Sequence, residues 1–344
     1  MFRRLLVLGT ALGLLLTAAG PVAAHGPDRH DDGYAVNVLA STATDPDLVN
    51  GWGLSRGPTT PWWVADNGTD KSTLYTATGA KLGLVVTIPG GAPTGTVFNS
   101  NGSSFNGDRF LFASEAGIIS GWRAALGTAA EVGADESTAG AVYKGLAIGT
   151  ANGADYLYAT DFHNARVDIF DSSYGRQAWS GAFVDPRLPK HYAPFGIQNL
   201  NGMIFVTYAK QQAGSNDERA GRGRGVVDAY ATDGTFLARV ATHGSLNAPW
   251  GLAWAPADFG RFSGHLIVGN FGDGKLNAFR WDGHHWHPDG RLRGAHNKPV
   301  VIDGLWAIAF GGGSPNNGPS NTLFFAAGPN DEAGGAFGTV SLTP

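Results

Sequence analysis

The sequence predicts an all-β protein, a six-bladed β-propeller with four strands in each blade. Three observations support this fold class. Glycine is abundant, at 52 of 344 residues, where average usage is about 7%. No long helical period appears after the N-terminal segment, and one short motif recurs six times, roughly every 50 residues. A repeat of this period with several strands per unit is typical of propellers.

The recurring motif begins each unit, as in "NAPWGLAWAP" (residues 247–256). It places a small residue after a bulky or polar one, at the start of an apolar strand. Because the inner strands of a propeller converge on one axis, small residues are expected where their backbones approach each other. We assign the small position to Gly53, Val97, Gly145, Gly196, Gly251 and Ala307.

Two or three further strands follow each motif. In the fifth unit the second strand is "HLIVGNFGDG" (265–274), and the third is "KLNAFRWDG" (275–283). Both combine β-branched or aromatic residues with a turn of small and polar residues. Between most units lies a fourth strand after a glycine-bearing turn, as in "TDGTFLARVA" (232–241). A pair of β-sandwiches is the alternative architecture, but it does not predict six matched strand pairs.

The two ends of the chain are predicted to complete one blade. The sixth unit stops after its third strand, and "YAVNVLAS" (34–41) precedes the first unit. Pairing them supplies the missing fourth strand, closes the ring and removes exposed sheet edges. Residues 34–344 therefore form one predicted propeller domain, behind a flexible leader at 25–33.

The N-terminus predicts export. Residues 1–24 contain Arg3 and Arg4, then an apolar stretch, then small residues at Val22 and Ala24. This is the pattern of a signal peptide cleaved after Ala24, and it predicts a secreted, extracellular protein. An uncleaved membrane anchor is the alternative reading. No second stretch is apolar enough to span a bilayer, so no membrane span is expected after cleavage.

Composition limits the chemistry. The chain has no cysteine, which excludes disulfides, cysteine nucleophiles and thiolate metal sites. Its formal net charge is -4 and it has no long basic run, so nucleic acid is not an expected partner. We expect a monomer that binds a small molecule, a glycan or a protein at its channel face.

One segment carries a family resemblance. "YATDFHNARVDIFD" (158–171) resembles the second and third strands of an NHL repeat. With "NGWGLS", "APWGLAWAP", "GNFGDGKLNAF" and "IDGLWAIAFGGG", nearly the whole mature chain resembles an uncharacterised family of secreted bacterial six-bladed propellers. The resemblance implies a fold and a location but no activity. In NHL repeats the residues corresponding to Asp161 and Asn164 usually bind backbone within their own blade.

Candidate binding residues follow from the predicted topology. The start of each inner strand and the loop after each second strand open on the same face of a propeller, where their side chains converge. Trp52, Trp250 and Trp306 each precede the small position and are expected to line the channel mouth. The candidate set is Asn50, Trp52, Asp66, Asn67, Glu115, Lys144, Asp161, His163, Tyr208, Trp250, Asn270, Asp303 and Trp306.

Two functions are compatible with these residues, so the sequence leaves open whether the chain is an enzyme. The favoured function is a binding or scaffold protein with a polar pocket ringed by aromatic residues. The alternative is a hydrolase or lactonase that uses a Ca²⁺-type metal, as gluconolactonase-like and paraoxonase-like propellers do. Carboxylate and amide oxygens suit such a cation, and the metal candidates are Asp66, Glu115, Asp161 and Asn270. No other cofactor is indicated.

Two further segments have open roles. Residues 210–225 form a long insertion after the second strand of the fourth unit, and it is expected to hang over the binding face. Its Arg219, Arg222 and Arg224 suit an anionic ligand, although such loops are also commonly just mobile. The cluster from His284 to His287 lies on an outer hairpin, either as a surface metal trap or as a solvated turn.

Overall fold

A computed structural model describes residues 33 to 343 of the chain. The predicted signal peptide and all but the last residue of the predicted leader lie outside the described residues. Within residues 33 to 343, no helix is long and apolar enough to cross a bilayer.

The described chain folds into six antiparallel sheets of four strands each, as predicted. Each sheet is one blade, and its first strand lies innermost, against the first strands of the neighbouring blades. The blades are β2–β5 (Gly51–Ser55, Trp62–Asp66, Lys71–Tyr75, Lys81–Thr87), β6–β9 (Pro93–Phe98, Phe110–Ser114, Ile118–Trp122, Glu131–Asp135), β10–β13 (Tyr143–Ala151, Ala154–Asp161, Arg166–Asp171, Arg176–Gln177), β14–β17 (Tyr192–Leu200, Met203–Lys210, Val226–Tyr230, Phe236–Thr242), β18–β21 (Pro249–Trp254, Leu266–Asn270, Leu276–Trp281, Trp286–Arg291) and β22–β24 with β1 (Leu305–Phe310, Leu323–Ala327, Ala336–Leu342, Tyr34–Ser41).

Short 3₁₀ helices occupy several of the connecting loops. They are Asn67–Thr69, Phe105–Gly107, Ala124–Leu126, Ser137–Ala139, Gly260–Phe262, Phe271–Asp273 and Ala295–Asn297.

The ring closes through its ends, and the predicted closure strand is confirmed. β1 pairs antiparallel with β24, from Tyr34 opposite Leu342 to Ser41 opposite Ala336. Beyond that pairing, the Thr343 backbone N–H donates to the Gly33 carbonyl at 2.8 Å. The sixth blade therefore contains both ends of the described chain, and β1 is its fourth, outermost strand.

The core lies mainly between adjacent blades. The second strands of four blades are buried along their whole length, as in "WWVAD" of β3 and "LIVGN" of β19, because neighbouring blades cover both faces. Between the first two blades, the Trp63 ring stacks on Phe110 at 4.0 Å. Burying one such large apolar side chain contributes about 2–3 kcal/mol. Because the chain has no cysteine, the contacts between blades are stabilised by buried aromatic side chains and not by disulfides.

Every inner strand carries a β-bulge near its start, just where the recurring motif lies. A bulge bends the strand and re-aims its side chains. The residue before the small position then points to the axis, so blade by blade the axis receives Trp52, Thr94, Lys144, Phe195, Trp250 and Trp306. We call these six residues the axial ring.

The small position is confirmed in five blades and wrong in the second. A Cβ at Gly251 would lie 2.6 Å from the Trp306 carbonyl oxygen, and one at Gly196 would overlap the Trp250 carbonyl. In the second blade the register aligns Thr96 with the residue after the small position. Gly95, rather than the predicted Val97, therefore approaches the next blade, where its Cβ would overlap the backbone of Leu146.

Candidate functional site

Four aromatic side chains of the axial ring, together with Phe271 from a loop of the fifth blade, block the channel. Trp52 and Trp306 stack with their ring centroids 3.7 Å apart, and Phe271 stacks on Trp306 at 3.9 Å. Trp250 meets Trp306 edge-on at 6.0 Å, and Phe195 lies 5.8 Å from it. We call these five residues the aromatic plug. They come from four blades, so the plug joins opposite sides of the ring.

The plug separates two faces of the molecule. The entry face is the one where the six inner strands begin, and the exit face is the one where they end. The loops between second and third strands also open on the entry face. Each face therefore receives a different set of side chains at the same channel.

Lys144 is the only charged member of the axial ring and lies at the entry side of the plug. Its side chain is 2% exposed. The ammonium pairs with Glu115 and lies 5.1 Å from the centre of the Trp52 ring. Both contacts stabilise a buried cation, one by charge pairing and one by the ring quadrupole.

A chain of hydrogen bonds extends from this ion pair. Asn67 donates to Glu115 at 3.0 Å, and Asn50 donates to the Asn67 side-chain oxygen at 3.2 Å. The Asn50 amide nitrogen also lies 2.6 Å from Glu332. The indole of Trp306 donates to the Asn50 oxygen at 2.8 Å. The network therefore ties the loops of three blades to the plug.

Trp250 fastens the plug to the third blade. Its indole N–H donates to the Lys144 backbone carbonyl at 2.8 Å. By contrast, the buried indole N–H of Trp52 has no hydrogen-bond partner within residues 33 to 343. A buried donor without a hydrogen-bond partner costs free energy. A ligand atom that accepts a hydrogen bond from this N–H would recover that cost.

The insertion of the fourth blade covers Lys144 with acidic residues. It spans residues 211–225 between β15 and β16. A carboxylate oxygen of Asp217 lies 3.9 Å from the Lys144 ammonium, and Glu218 interacts electrostatically with Lys144, Glu332 and Asp217. The arginines of the insertion stay predicted contacts of an anionic ligand; Arg219 and Arg222 are exposed and Arg224 is partly buried. The insertion therefore brings two carboxyl groups toward Lys144 together with three guanidinium groups.

Burial is the main cause of shifted pKa values among these carboxyl groups. Burial, with smaller contributions from the charges of Glu332 and Asp217, raises the pKa of Glu218 to about 7, against the lowering effects of a backbone hydrogen bond and of Lys144. Burial also raises the pKa of Glu332, although its hydrogen bond from Asn50 opposes this. Four carboxyl groups thus interact with the one ammonium group of Lys144.

Seven of the thirteen predicted site residues meet in this network, and one more borders it. His163 lies at its edge, 2.8 Å from Asn216 of the insertion. The seven are Asn50, Trp52, Asn67, Glu115, Lys144, Trp250 and Trp306.

The other five candidates are used inside the fold. Asp161 accepts from the backbone N–H groups of Val142 and Asn164, as the NHL resemblance implies. Tyr208 and Tyr230 share a buried hydroxyl hydrogen bond at 2.6 Å. The remaining three are Asp66, Asn270 and Asp303.

Of these three, Asn270 and Asp303 hold local structure. Asp66 is fully buried with neither carboxyl oxygen hydrogen-bonded within residues 33 to 343, and burial raises its pKa well above the usual range. Asn270 donates to the Ser245 carbonyl and to Asp273, both at 2.9 Å, and Asp303 accepts from the backbone N–H of Asn330. The predicted metal set of Asp66, Glu115, Asp161 and Asn270 therefore does not converge. Within residues 33 to 343, no three His, Asp or Glu side chains form a group suited to a metal ion.

The histidine cluster forms a solvated turn. His284 and His285 donate backbone N–H groups to Asp282 at 2.8 and 2.7 Å, and the His287 ring contacts the same carboxyl group. The segment joins β20 to β21 on the outside of the fifth blade.

The exit face contains a cavity that the sequence did not predict. It is a funnel of about 500 Å³ at the carboxyl ends of all six inner strands, a volume typical of small-molecule sites. Its narrow end reaches Trp250 of the plug. The lining includes Leu54, Arg56, Phe98, Ile148, Gln198, Leu200, Trp254 and Phe310.

The comparisons with known proteins place the chain in a family. No protein-family model matches it. It is 31% identical to "Uncharacterized protein R648" of Acanthamoeba polyphaga mimivirus, covering 92% of this chain and 82% of the relative. It is 30% identical to "Uncharacterized protein L690" of the same virus, over 92% and 87%. The chain belongs to the family of these proteins, and the predicted bacterial, secreted family stays a prediction.

Solved structures show the same fold at low identity. A streptogramin B lyase matches with a TM-score of 0.54 and 13% identity, over 90% of this chain and 98% of the other. The PQQ-bound aldose sugar dehydrogenase from Streptomyces coelicolor matches with a TM-score of 0.55 and 15% identity, over 91% and 99%. These similarities establish the propeller fold alone.

Proposed function

We propose that this chain is a secreted binding protein that holds a small organic cation at the entry face of its channel. The observation that carries the proposal is the cluster of carboxyl groups near Lys144, in which Glu115 and Asp217 lie within 4 Å of the ammonium and Glu218 and Glu332 interact with it electrostatically. A second cation would relieve the repulsion among these carboxylates. Export is supported by the signal-peptide pattern of residues 1–24.

The aromatic plug favours an organic cation over a metal ion. Trp52 already faces the Lys144 ammonium at 5.1 Å, which is the geometry of a cation–π contact. Its unpaired indole N–H adds a donor for a hydroxyl or carbonyl group on the ligand. A ligand that reaches Trp52 has to enter between the insertion and the aromatic plug, because Lys144 is only 2% exposed there.

A matched set of benzyl compounds tests the proposal. Benzylammonium, benzyl alcohol and benzoate differ in charge on one skeleton, and tryptophan fluorescence reports their binding. We expect benzylammonium to bind most tightly at pH 8. Glu332→Gln keeps an acceptor for Asn50 but removes a charge, and should weaken benzylammonium binding about tenfold. Asp258→Asn, on an exposed exit-face loop, is the control and should bind like the parent.

The pH dependence provides a second readout. Glu218 gains its negative charge as the pH rises through about 7, so the affinity for benzylammonium should increase between pH 6 and pH 8. Benzoate binding as tightly as benzylammonium, or a Glu332→Gln variant with unchanged affinity, would contradict the proposal.

The second candidate function is proton-transfer catalysis at the same face. The observation that favours it is the Glu218 pKa of about 7, since a general acid or base works best when its pKa lies near the working pH. The fold is shared with a streptogramin B lyase. A ¹³C NMR titration, with Glu218→Gln for assignment, measures the midpoint. A Glu218 pKa near 7 supports this candidate function, and a pKa near 4.5 contradicts it.

A further inference from the structure

The exit-face funnel has the shape of a ligand site that is independent of the entry face. Its wall is formed by the ends of all six inner strands. Trp250 and the other plug residues lie between its narrow end and Lys144. A molecule in the funnel therefore meets none of the carboxylates of the entry face.

Most residues of the funnel lining are apolar, although polar atoms make up slightly more than half of the surface that the lining exposes. Leucine, isoleucine, valine, alanine and aromatic side chains make up most of the lining. The polar contributions come from Ser55, Thr96, Gln198 and two asparagines, and one of these, Asn199, already donates to the Ile148 carbonyl at 2.9 Å. No aspartate or glutamate lines the cavity. A concave site with such a mixed lining favours a ligand that has both an apolar part and a polar part.

Arg56 provides the only charge on this wall. It follows the last residue of β2 and is half-buried. Its Nε and Nη2 groups donate to the Phe310 carbonyl at 3.0 and 2.9 Å, and the guanidinium lies 5.5 Å from the Trp62 ring centre. These contacts fix the side chain and leave Nη1 without a hydrogen-bond partner in the described chain.

Arg56 also has no ion-pair partner among residues 33 to 343. Burial lowers the pKa of Arg56, but a guanidinium stays charged at neutral pH. Other partly buried arginines of this fold, such as Arg239 and Arg123, are paired with carboxylates. This half-buried guanidinium therefore borders a cavity with no acidic residue in its lining and has no anionic partner there.

We propose that the funnel binds an amphipathic anion, with its head on Arg56 and its apolar body directed toward Trp250. A carboxylate accepts the Nη1 hydrogens that Phe310 leaves free, which forms a charge-assisted hydrogen bond. The apolar body fills the volume between Leu54, Leu252 and Ile308. The ligand class is a medium-chain carboxylate or a molecule with the same combination of anionic head and apolar body.

Calorimetric titration of the full chain with decanoate and decanol tests this site. The two probes share an alkyl chain and differ in head-group charge. We expect decanoate to bind with 1:1 stoichiometry and at least about tenfold more tightly than decanol. Arg56→Gln should remove that preference and leave decanol affinity within about twofold. The exposed Arg261→Gln on the same face is the matched control and should bind both probes like the parent.

A second variant separates loss of binding from loss of folding. Ala309 lines the funnel and is only partly buried, so Ala309→Trp should fill the cavity and abolish binding of both probes while the thermal unfolding midpoint stays near that of the parent. The proposal is overturned if decanoate binds no more tightly than decanol, if Arg56→Gln leaves the preference intact, or if Ala309→Trp still binds both.

Discussion

The two ends of the channel are built by the same six strands and yet differ in every chemical respect. At the entry face a buried lysine interacts with four carboxyl groups under a covering loop. At the exit face an open funnel contains one arginine without an ion-pair partner. The aromatic plug lies between them. Under the two proposals above, one propeller axis carries two sites of opposite charge preference.

Loop lengths explain why one end is covered and the other is open. The 211–225 insertion belongs to the entry face. At the exit face, two neighbouring blades turn through Asn152–Gly153 and Asn201–Gly202, whose positive φ angles are those of tight hairpins. Such short turns do not extend over the opening of the funnel on that side. The lengths of these loops, and not the repeated strands, therefore determine how accessible each end of the channel is.

The largest expected effect is a loss of stability when a close contact between two inner strands is disturbed. Gly196→Ala places a Cβ against the Trp250 carbonyl, where only backbone can move, and should lower the free energy of unfolding by about 3 kcal/mol. Gly83→Ala is the control, because a Cβ there meets nothing within 4 Å. Urea denaturation of both variants measures the difference. Equal stability would mean that the axial contact is looser than described.

Removing the lysine should affect the entry face alone. Lys144→Met leaves Glu115 and its acidic neighbours without their cation, so we expect a loss of about 2 kcal/mol, less than for a fully buried pair because Glu115 is partly exposed. Lys275→Met, which removes a partly exposed pair with Asp273, should cost less than about 1 kcal/mol. Decanoate binding at the exit face should be unchanged in both. A Lys144→Met variant that loses decanoate binding would show that the plug does not separate the two ends.

A smaller effect is expected from titration of Glu218. Its folded pKa of about 7 lies above the ordinary value of 4.5, so the folded state keeps a proton that the unfolded state has lost. Stability contributed by this proton is present below about pH 4.5 and is lost as the pH rises to about 7. Glu218→Gln mimics the neutral form and should raise the unfolding temperature at pH 8 but hardly at pH 4.5. An equal shift at both pH values would contradict the assignment.

Most of the fold could be predicted from sequence because the propeller repeats one pattern. The six strand groups and the closure by residues 34–41 follow from periodicity and from a missing strand. The error at Val97 has a local cause. "PTGTVF" offers two small or β-branched positions two residues apart, and alternation alone does not distinguish Gly95 from Val97. Only the pairing with β7 settles which one faces the next blade.

The candidate site could be predicted only in part. Residues next to the small position, such as Trp52 and Lys144, are fixed by the motif. Residues at the ends of second strands are not, because Asp66 turns into the blade whereas Glu115 in the following turn faces the axis. Glu218 and Glu332 lie in long loops whose path depends on tertiary contacts. The funnel was missed because apolar residues at strand ends have the same pattern whether they fill a core or line a cavity.

The central claim is that the plug divides the channel into two independent sites of opposite charge preference. Titrating benzylammonium into protein saturated with decanoate, and decanoate into protein saturated with benzylammonium, tests it directly. The account predicts that both ligands bind together, each at 1:1 stoichiometry and with an affinity within about twofold of that measured alone. Stoichiometric displacement of one ligand by the other would contradict it.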